Sequence, residues 1–243
     1  MKRMLLVLLA AYVAPASSTT ITIMPATGIA NAVADRTAWL AANFDPEYLL
    51  DVTVTFDGLL YGPYNSLTTD IGAFSVMPGS LPGDPWQSSG TKTNQFTILN
   101  SSDTPFDGRY NTTPGGSNWL DSNDITKLQL STSLSNIYFF ITDVNDVDGR
   151  LQLATQDGTT AGFPTGAPNG NIYFVGITSG SAIGTLQWLN TSTNDGFGLD
   201  DFGKVYEPPP SVPEPAVWPV AATAFLAMWL VRRRKNQRSA PLD

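Results

Sequence analysis

The sequence predicts an all-β fold: a jelly-roll-like antiparallel β-sandwich with one short N-terminal helix, preceded by a signal peptide and followed by a C-terminal transmembrane helix. Three observations predict it. Short apolar stretches recur along the chain, some alternating with polar residues and some continuous, as half-buried and fully buried strands do. Turn dipeptides separate them: Asp57-Gly58, Pro82-Gly83, Asp107-Gly108, Asp148-Gly149, Asp157-Gly158, Asn169-Gly170 and Asp195-Gly196. Setting the apolar termini aside leaves about 190 of the 243 residues, a length suited to one β domain.

Residues 1–16 read as a signal peptide. Lys2 and Arg3 give a positive start, Met4 to Ala14 is an apolar run, and Ala14 and Ala16 are the small residues that a signal peptidase requires. Residues 17–206 form the predicted β-sandwich domain. Within it, the alanine density around Val33, Leu40 and Phe44 predicts a helix over 31–44, expected to cap one end of the sandwich. Val52, Val54 and Phe56 alternate on a first strand, and Leu128 and Leu130 share a face of another. Residues 136–141 and 171–177 are almost continuously apolar, which suits buried strands. Leu151 and Leu153 alternate, as do Leu186 and Trp188 against Thr185, Gln187 and Leu189. Pro, Gly and Ser concentrate over 79–90 and 111–118, which read as loops.

Residues 207–215 are a Pro-rich linker, with Pro208, Pro209 and Pro210 forming a semi-rigid spacer. Residues 216–231 are uncharged and span about 24 Å as a helix, short of a bilayer core of about 30 Å. Trp218 and Trp229 near its ends suit the membrane interface. Residues 232–243 are the basic tail, whose Arg232, Arg233, Arg234 and Lys235 favour the cytoplasmic side.

Val212, Pro213, Glu214 and Pro215, then an apolar helix, then Arg232, Arg233, Arg234 and Lys235, resemble the PEP-CTERM sorting signal of Gram-negative bacteria. The resemblance covers about thirty residues and implies a destination: an inner-membrane-anchored precursor, recognised by exosortase, whose tail is removed as the chain passes to the cell surface or extracellular matrix. Many hosts of that system make extracellular polysaccharide. The body resembles other exported proteins carrying this tail, through Ala34 to Trp39, Val54 to Leu59, Asn118 to Asp124 and Asn194 to Phe202. In that group the last motif is the closing strand of a jelly-roll-like domain with no assigned reaction.

Charge and composition exclude several functions. The exported part holds six cations against nineteen carboxylates, a net charge of −13 where the full chain has −8. That argues against nucleic acid as a partner. The chain has no cysteine and no histidine. Disulfides, thiolate or imidazole metal sites, and Ser-His-Asp or Cys-His catalysis are therefore all excluded. Hydrolysis by a pair of carboxylates remains chemically open, but no spacing selects a pair, and no catalytic residue is assigned.

Three acidic clusters stand out: Asp121, Asn123 and Asp124; Asp143, Asn145, Asp146 and Asp148; and Asn194, Asp195, Asp200 and Asp201. Oxygen-rich loops of this type suit calcium, and Asp143, Asn145, Asp146, Asp148, Asp200 and Asp201 are the candidate ligands. The second cluster departs from an EF-hand loop, with its glycine one place late and Ala154 at the twelfth position. The alternative is turn chemistry alone, since Asp and Asn bond their own backbone. Trp86 and Trp119 are candidates for stacking on a sugar ring, whereas Trp39 and Trp188 occupy positions expected to face the core. The expected function is a non-enzymatic, surface-sorted protein contacting extracellular polysaccharide, with a carboxylate-based glycoside hydrolase or lyase as the alternative.

Overall fold

The computed structural model describes residues 18–45, 50–83, 92–101 and 108–206. These belong to the first of two units into which the chain divides, Met1–Tyr206. The predicted signal peptide, linker, transmembrane helix and basic tail lie outside the described residues, as do Trp86 and the sorting motif. Among the described residues no helix is long and apolar enough to cross a membrane.

The elements run β1 (Thr20–Ala26), α1 (Ile29–Asn43), β2 (Leu50–Val54), β3 (Gly62–Tyr64), β4 (Ser66–Thr69), β5 (Gly72–Val76), β6 (Phe96–Asn100) and β7 (Asn118–Asp121). They continue with β8 (Lys127–Thr132), β9 (Asn136–Thr142), β10 (Gln152–Thr155), β11 (Thr160–Gly162), β12 (Ile172–Thr178), β13 (Gly184–Leu189) and β14 (Gly198–Tyr206). One sheet has the order β1-β12-β9-β14-β7-β6-β3, with β2 also on β14; the other has the order β11-β10-β13-β8-β5-β4. All pairings are antiparallel. The stretch from β7 to β14 is a jelly roll. Counted one to eight along the chain, its strands lie 1-8-3-6 in the first sheet and 2-7-4-5 in the second. The earlier strands extend the edges of both sheets.

The core follows from the alternation. Leu128 and Leu130 of β8, Leu153 of β10 and Leu186 and Trp188 of β13 point inward from the second sheet to meet Ile137, Phe139 and Ile141 of β9. Phe139 and Phe202 stack at the centre with ring centroids 4.8 Å apart. The continuous runs behave differently. Every residue of β9 is buried, because its other face, with Tyr138 and Phe140, lies under α1. A strand covered on both sides has no polar face to show.

The helix corrects one expectation. It does not cap an end of the sandwich but packs on the outer face of the first sheet, against β12 and β1. Ala32, Trp39, Leu40 and Phe44 form the buried stripe that meets Tyr138, Phe140, Ile172 and Phe174. Burying side chains of the size of Leu40 and Phe44 contributes roughly 1.5–3 kcal/mol each. Gly176 leaves the space that the Trp39 indole fills, since a Cβ there would overlap the ring. The Arg36 guanidinium lies 5.7 Å from the Tyr138 ring centre and 5.8 Å from that of Phe140, and pairs with Asp201 at 3.4 Å.

Candidate functional site

The loops 122–126, 143–151, 163–171 and 190–197 gather at one end of the sandwich and hold one another. Ser122 and Phe197 exchange hydrogen bonds of 2.9 and 2.8 Å. The Asn145 side chain donates to the Phe163 and Pro164 carbonyls and accepts from the Leu151 amide at 2.7 Å. Among the described residues, the non-glycine positions with φ > 0 are Asn123, Asp124, Asp143, Asn145 and Asp201. All come from the three acidic clusters. Asn and Asp tolerate the left-handed region better than other side-chain-bearing residues, so the clusters are first of all a backbone device.

These clusters converge on Arg109, which is 6% exposed. Its Nη1 donates to Asp121 Oδ1 at 3.1 Å, its Nη2 donates to Asp124 Oδ1 at 2.6 Å, and its Nε lies 3.4 Å from Asp143 Oδ2. Asp195 joins the same neighbourhood, with its Oδ2 accepting from the Gly149 amide at 2.6 Å. Burial alone would lower the pKa of Arg109. The negative potential of Asp121, Asp124 and Asp143 outweighs it, and the guanidinium is held above its ordinary value. Burial pushes the carboxyls the other way: Asp121 and Asp195 are raised, and Asp143 reaches about 6, moderated by the Gly170 amide and Arg109. Gly196 packs against the guanidinium so closely that a Cβ would strike it. Arg109 was not singled out in the sequence. The available signal was a lone cation between loops in a strongly acidic body.

Asp200 and Asp201 part company at a β-bulge in β14, where the register with β9 shifts. Asp200 Oδ2 accepts from the amides of Thr112 and Thr113 at 2.8 and 3.1 Å and from both hydroxyls at 3.2 Å. Asp201 faces Arg36 of α1. One carboxylate therefore anchors the 108–117 segment and the other anchors the helix. Arg36 is a cation that holds Asp201.

The six candidate calcium ligands do not form one group. Asp143 binds Arg109 and the Gly170 amide, and Asn145 is spent on backbone groups. Asp148 accepts from the Ser192 hydroxyl at 2.7 Å, and Asp146 is half-buried. Among the described residues no set of three or more carboxylates is arranged to hold a metal ion. Trp119 is corrected as a sugar platform: it lies in β7 and is 1% exposed, so its ring faces protein. Trp39 and Trp188 are buried as expected.

Beside Arg109 and its partners lies a cleft of about 390 Å³, within the size range of small-ligand sites. Leu151, Phe163 and Leu189 provide an apolar floor, with Asn190, Thr191 and Arg150 among the polar groups at its rim. The Arg150 amide donates to Thr191 Oγ1 at 3.1 Å, and Asn190 donates to the Asp195 carbonyl. These two bonds brace the cleft wall. Among the described residues no carboxylate lines the cleft. A smaller depression of about 270 Å³, between residues 25–28 and 168–173, also has no carboxylate among the described residues that line it.

No family model matches the chain, and no curated protein matches it. Solved structures similar to it include the carbohydrate-binding module CBM6cm-2 from Cellvibrio mixtus lichenase 5A in complex with cellotriose. That match has 16% identity and a TM-score of 0.26, and covers 46% of this chain and 97% of that one. A second is the N-terminal CBM22-1-CBM22-2 tandem domain from Paenibacillus barcinonensis Xyn10C, with 14% identity, a TM-score of 0.30 and coverage of 69% and 48%. The CBM22-1 xylan-binding domain of the same protein gives 13% identity, a TM-score of 0.26 and coverage of 65% and 98%.

Proposed function

We propose that this chain is an exported, non-enzymatic binding protein. The signal peptide directs it across the inner membrane, the PEP-CTERM segment anchors it for exosortase, and the released β-sandwich contacts extracellular polysaccharide at the cell surface. One observation carries the reading. Each buried carboxylate of Asp121, Asp124, Asp143 and Asp195 accepts from Arg109 or a backbone amide or lies against the guanidinium, while no carboxylate is among the described residues that line the neighbouring cleft. Glycoside hydrolysis ordinarily needs two carboxylates flanking the bond that breaks. A cleft with an apolar floor and an amide and hydroxyl rim can instead hold a sugar ring and its hydroxyls without attacking either. The geometry therefore favours retention over turnover.

The test is co-sedimentation of the purified chain with the extracellular polysaccharide of its host, run beside a reducing-sugar assay on the same mixture. Binding without sugar release is the expected result. Steady release over many turnovers would establish the hydrolase instead, and failure to sediment would remove the polysaccharide from the proposal.

A further inference from the structure

The strands of the second sheet, β4, β5, β8, β10, β11 and β13, contain no Asp or Glu and a single cation, Lys127. This is a marked asymmetry in a body with nineteen carboxylates. Because Phe74, Leu128, Leu130, Leu153, Leu186 and Trp188 turn inward, the alternate positions face out. The register sets them in rows. Gln152 lies beside Leu189, and Leu189 beside Lys127; Gln187 lies beside Gln129, and Gln129 beside Ser75. The first row runs into the cleft, which is lined by Gln152 and Leu189 together with Arg150 at its rim. The result is one continuous surface of amides and hydroxyls with an apolar pocket at its loop end. Its two cations sit on and just before strands two places apart in the sheet, about 10 Å at the usual strand spacing.

We propose that this surface binds an acidic, uronate-bearing polysaccharide, with Arg150 taking one carboxylate at the cleft and Lys127 a second further along the polymer. The proposal deepens the polysaccharide-binding function and rests on it. Its warrant is charge complementarity. Arg36 and Arg109 face carboxylates of their own protein, whereas Arg150 borders a cleft with no carboxylate in its lining and Lys127 belongs to an acid-free sheet. A guanidinium fork matches a planar carboxylate. The apolar floor takes the ring, and the glutamine rows take hydroxyls along the polymer. The body's net negative charge does not forbid an anion here: carboxylates farther than about 8 Å are screened at physiological ionic strength, and the nearby Asp148 and Asp195 accept from the Ser192 hydroxyl and the Gly149 amide.

The experiment uses the full chain in mild detergent with three probes: alginate as the polyuronate, heparin as the sulfated polymer and dextran as the neutral one. Alginate is expected to bind, more weakly as salt rises, and to be preferred over both others. R150A and K127A should each weaken it by about tenfold, the scale of one lost charge-assisted hydrogen bond, without moving the thermal midpoint. R150K should fall between R150A and wild type. Dextran binding as well as alginate, with R150A unaffected, would overturn this proposal while leaving polysaccharide binding intact. Tighter binding to heparin would overturn the uronate assignment, and so would no binding to any probe; binding to the host's own polysaccharide is decided separately by the co-sedimentation assay.

Discussion

Arg109 shows how much a single side chain can organise. Its partners Asp121, Asp124 and Asp143 come from the end of β7, the loop that follows it and the loop that follows β9, and all three contacts are buried. Removing one member of a buried ion cluster leaves uncompensated charge and costs about 3–5 kcal/mol. R109M should therefore lower stability by that order in urea denaturation, and R109K, which keeps the charge but not the fork, by less. An R109M protein as stable as wild type would mean that the carboxylates are neutral or hydrated in place. Asp200 carries a second prediction. Burial raises its pKa from 3.8 to about 6, against the pull of the Thr112 and Thr113 amides. The folded state therefore binds this proton more tightly than the unfolded state does. Its stabilising contribution is fully present below about pH 3.8 and is lost as pH rises through 6, on the order of 3 kcal/mol by neutrality. Asp143, also raised to about 6, acts in the same direction. The thermal midpoint should rise as pH falls from 7 to 5. Below about pH 4 it should fall again, as Asp57, held low by the Asn118 and Ser117 amides despite some burial, takes up its proton. D200N keeps an acceptor for the threonines but cannot ionise, so it should reduce the rise between pH 7 and 5 to the share left to Asp143; an unchanged profile would show that Asp200 titrates normally.

At the scale of elements, α1 depends on what the sheet beneath it lacks. Gly176 of β12 has room for no Cβ, because the Trp39 indole occupies that space, and Trp39 is itself packed against Phe44 and Phe174 at 5.3 and 5.6 Å. A ring held on three sides cannot swing away, so in G176A the helix must lift. The expected cost is about 1–3 kcal/mol, typical of overpacking. W39A should cost about 3–5 kcal/mol, and on that background G176A should cost little, giving a coupling measurable by a double-mutant cycle. Additive effects would mean that the helix is not seated on Gly176. Placing α1 was within reach of the sequence. Runs such as Ile137 to Ile141 and Tyr173 to Val175 are apolar on both faces, and a two-sided strand requires a cover on each side. The strands with clear alternation, β8 and β13, were legible for the same physical reason. Short strands such as β3 and β4, rich in Gly, Ser and Thr, were not, since their register is set by neighbours rather than by their own pattern. The Arg109 network was legible only in parts. Each Asx cluster announced a turn, but nothing local says that turns so far apart in sequence share one guanidinium.

At the scale of the whole molecule, two apolar ends carry an acidic body whose carboxylates are unevenly spread. The sorting proposal makes a prediction at this scale. Residues 216–231 reach only about 24 Å as a helix against a core of about 30 Å, so anchorage would depend on Trp218 and Trp229 at the interfaces and on the cations from Arg232 to Lys235 at the cytoplasmic side. A span held so marginally suits an anchor that is temporary. Truncation after Ser211 removes the proposed sorting motif, span and cations together but leaves the proposed signal peptide and the whole described sandwich. The truncated chain should be exported and folded yet soluble in the periplasm, with none reaching the surface fraction. Replacing Arg232, Arg233, Arg234 and Lys235 by glutamine keeps Pro213 to Pro215 but removes the cationic part of the signal, and should lower the membrane-bound fraction of the precursor in a fractionation experiment. Mass spectrometry of the wild-type surface form decides the matter: its C-terminus should fall upstream of Ala216, and a surface form ending at Asp243 would make the tail a permanent anchor.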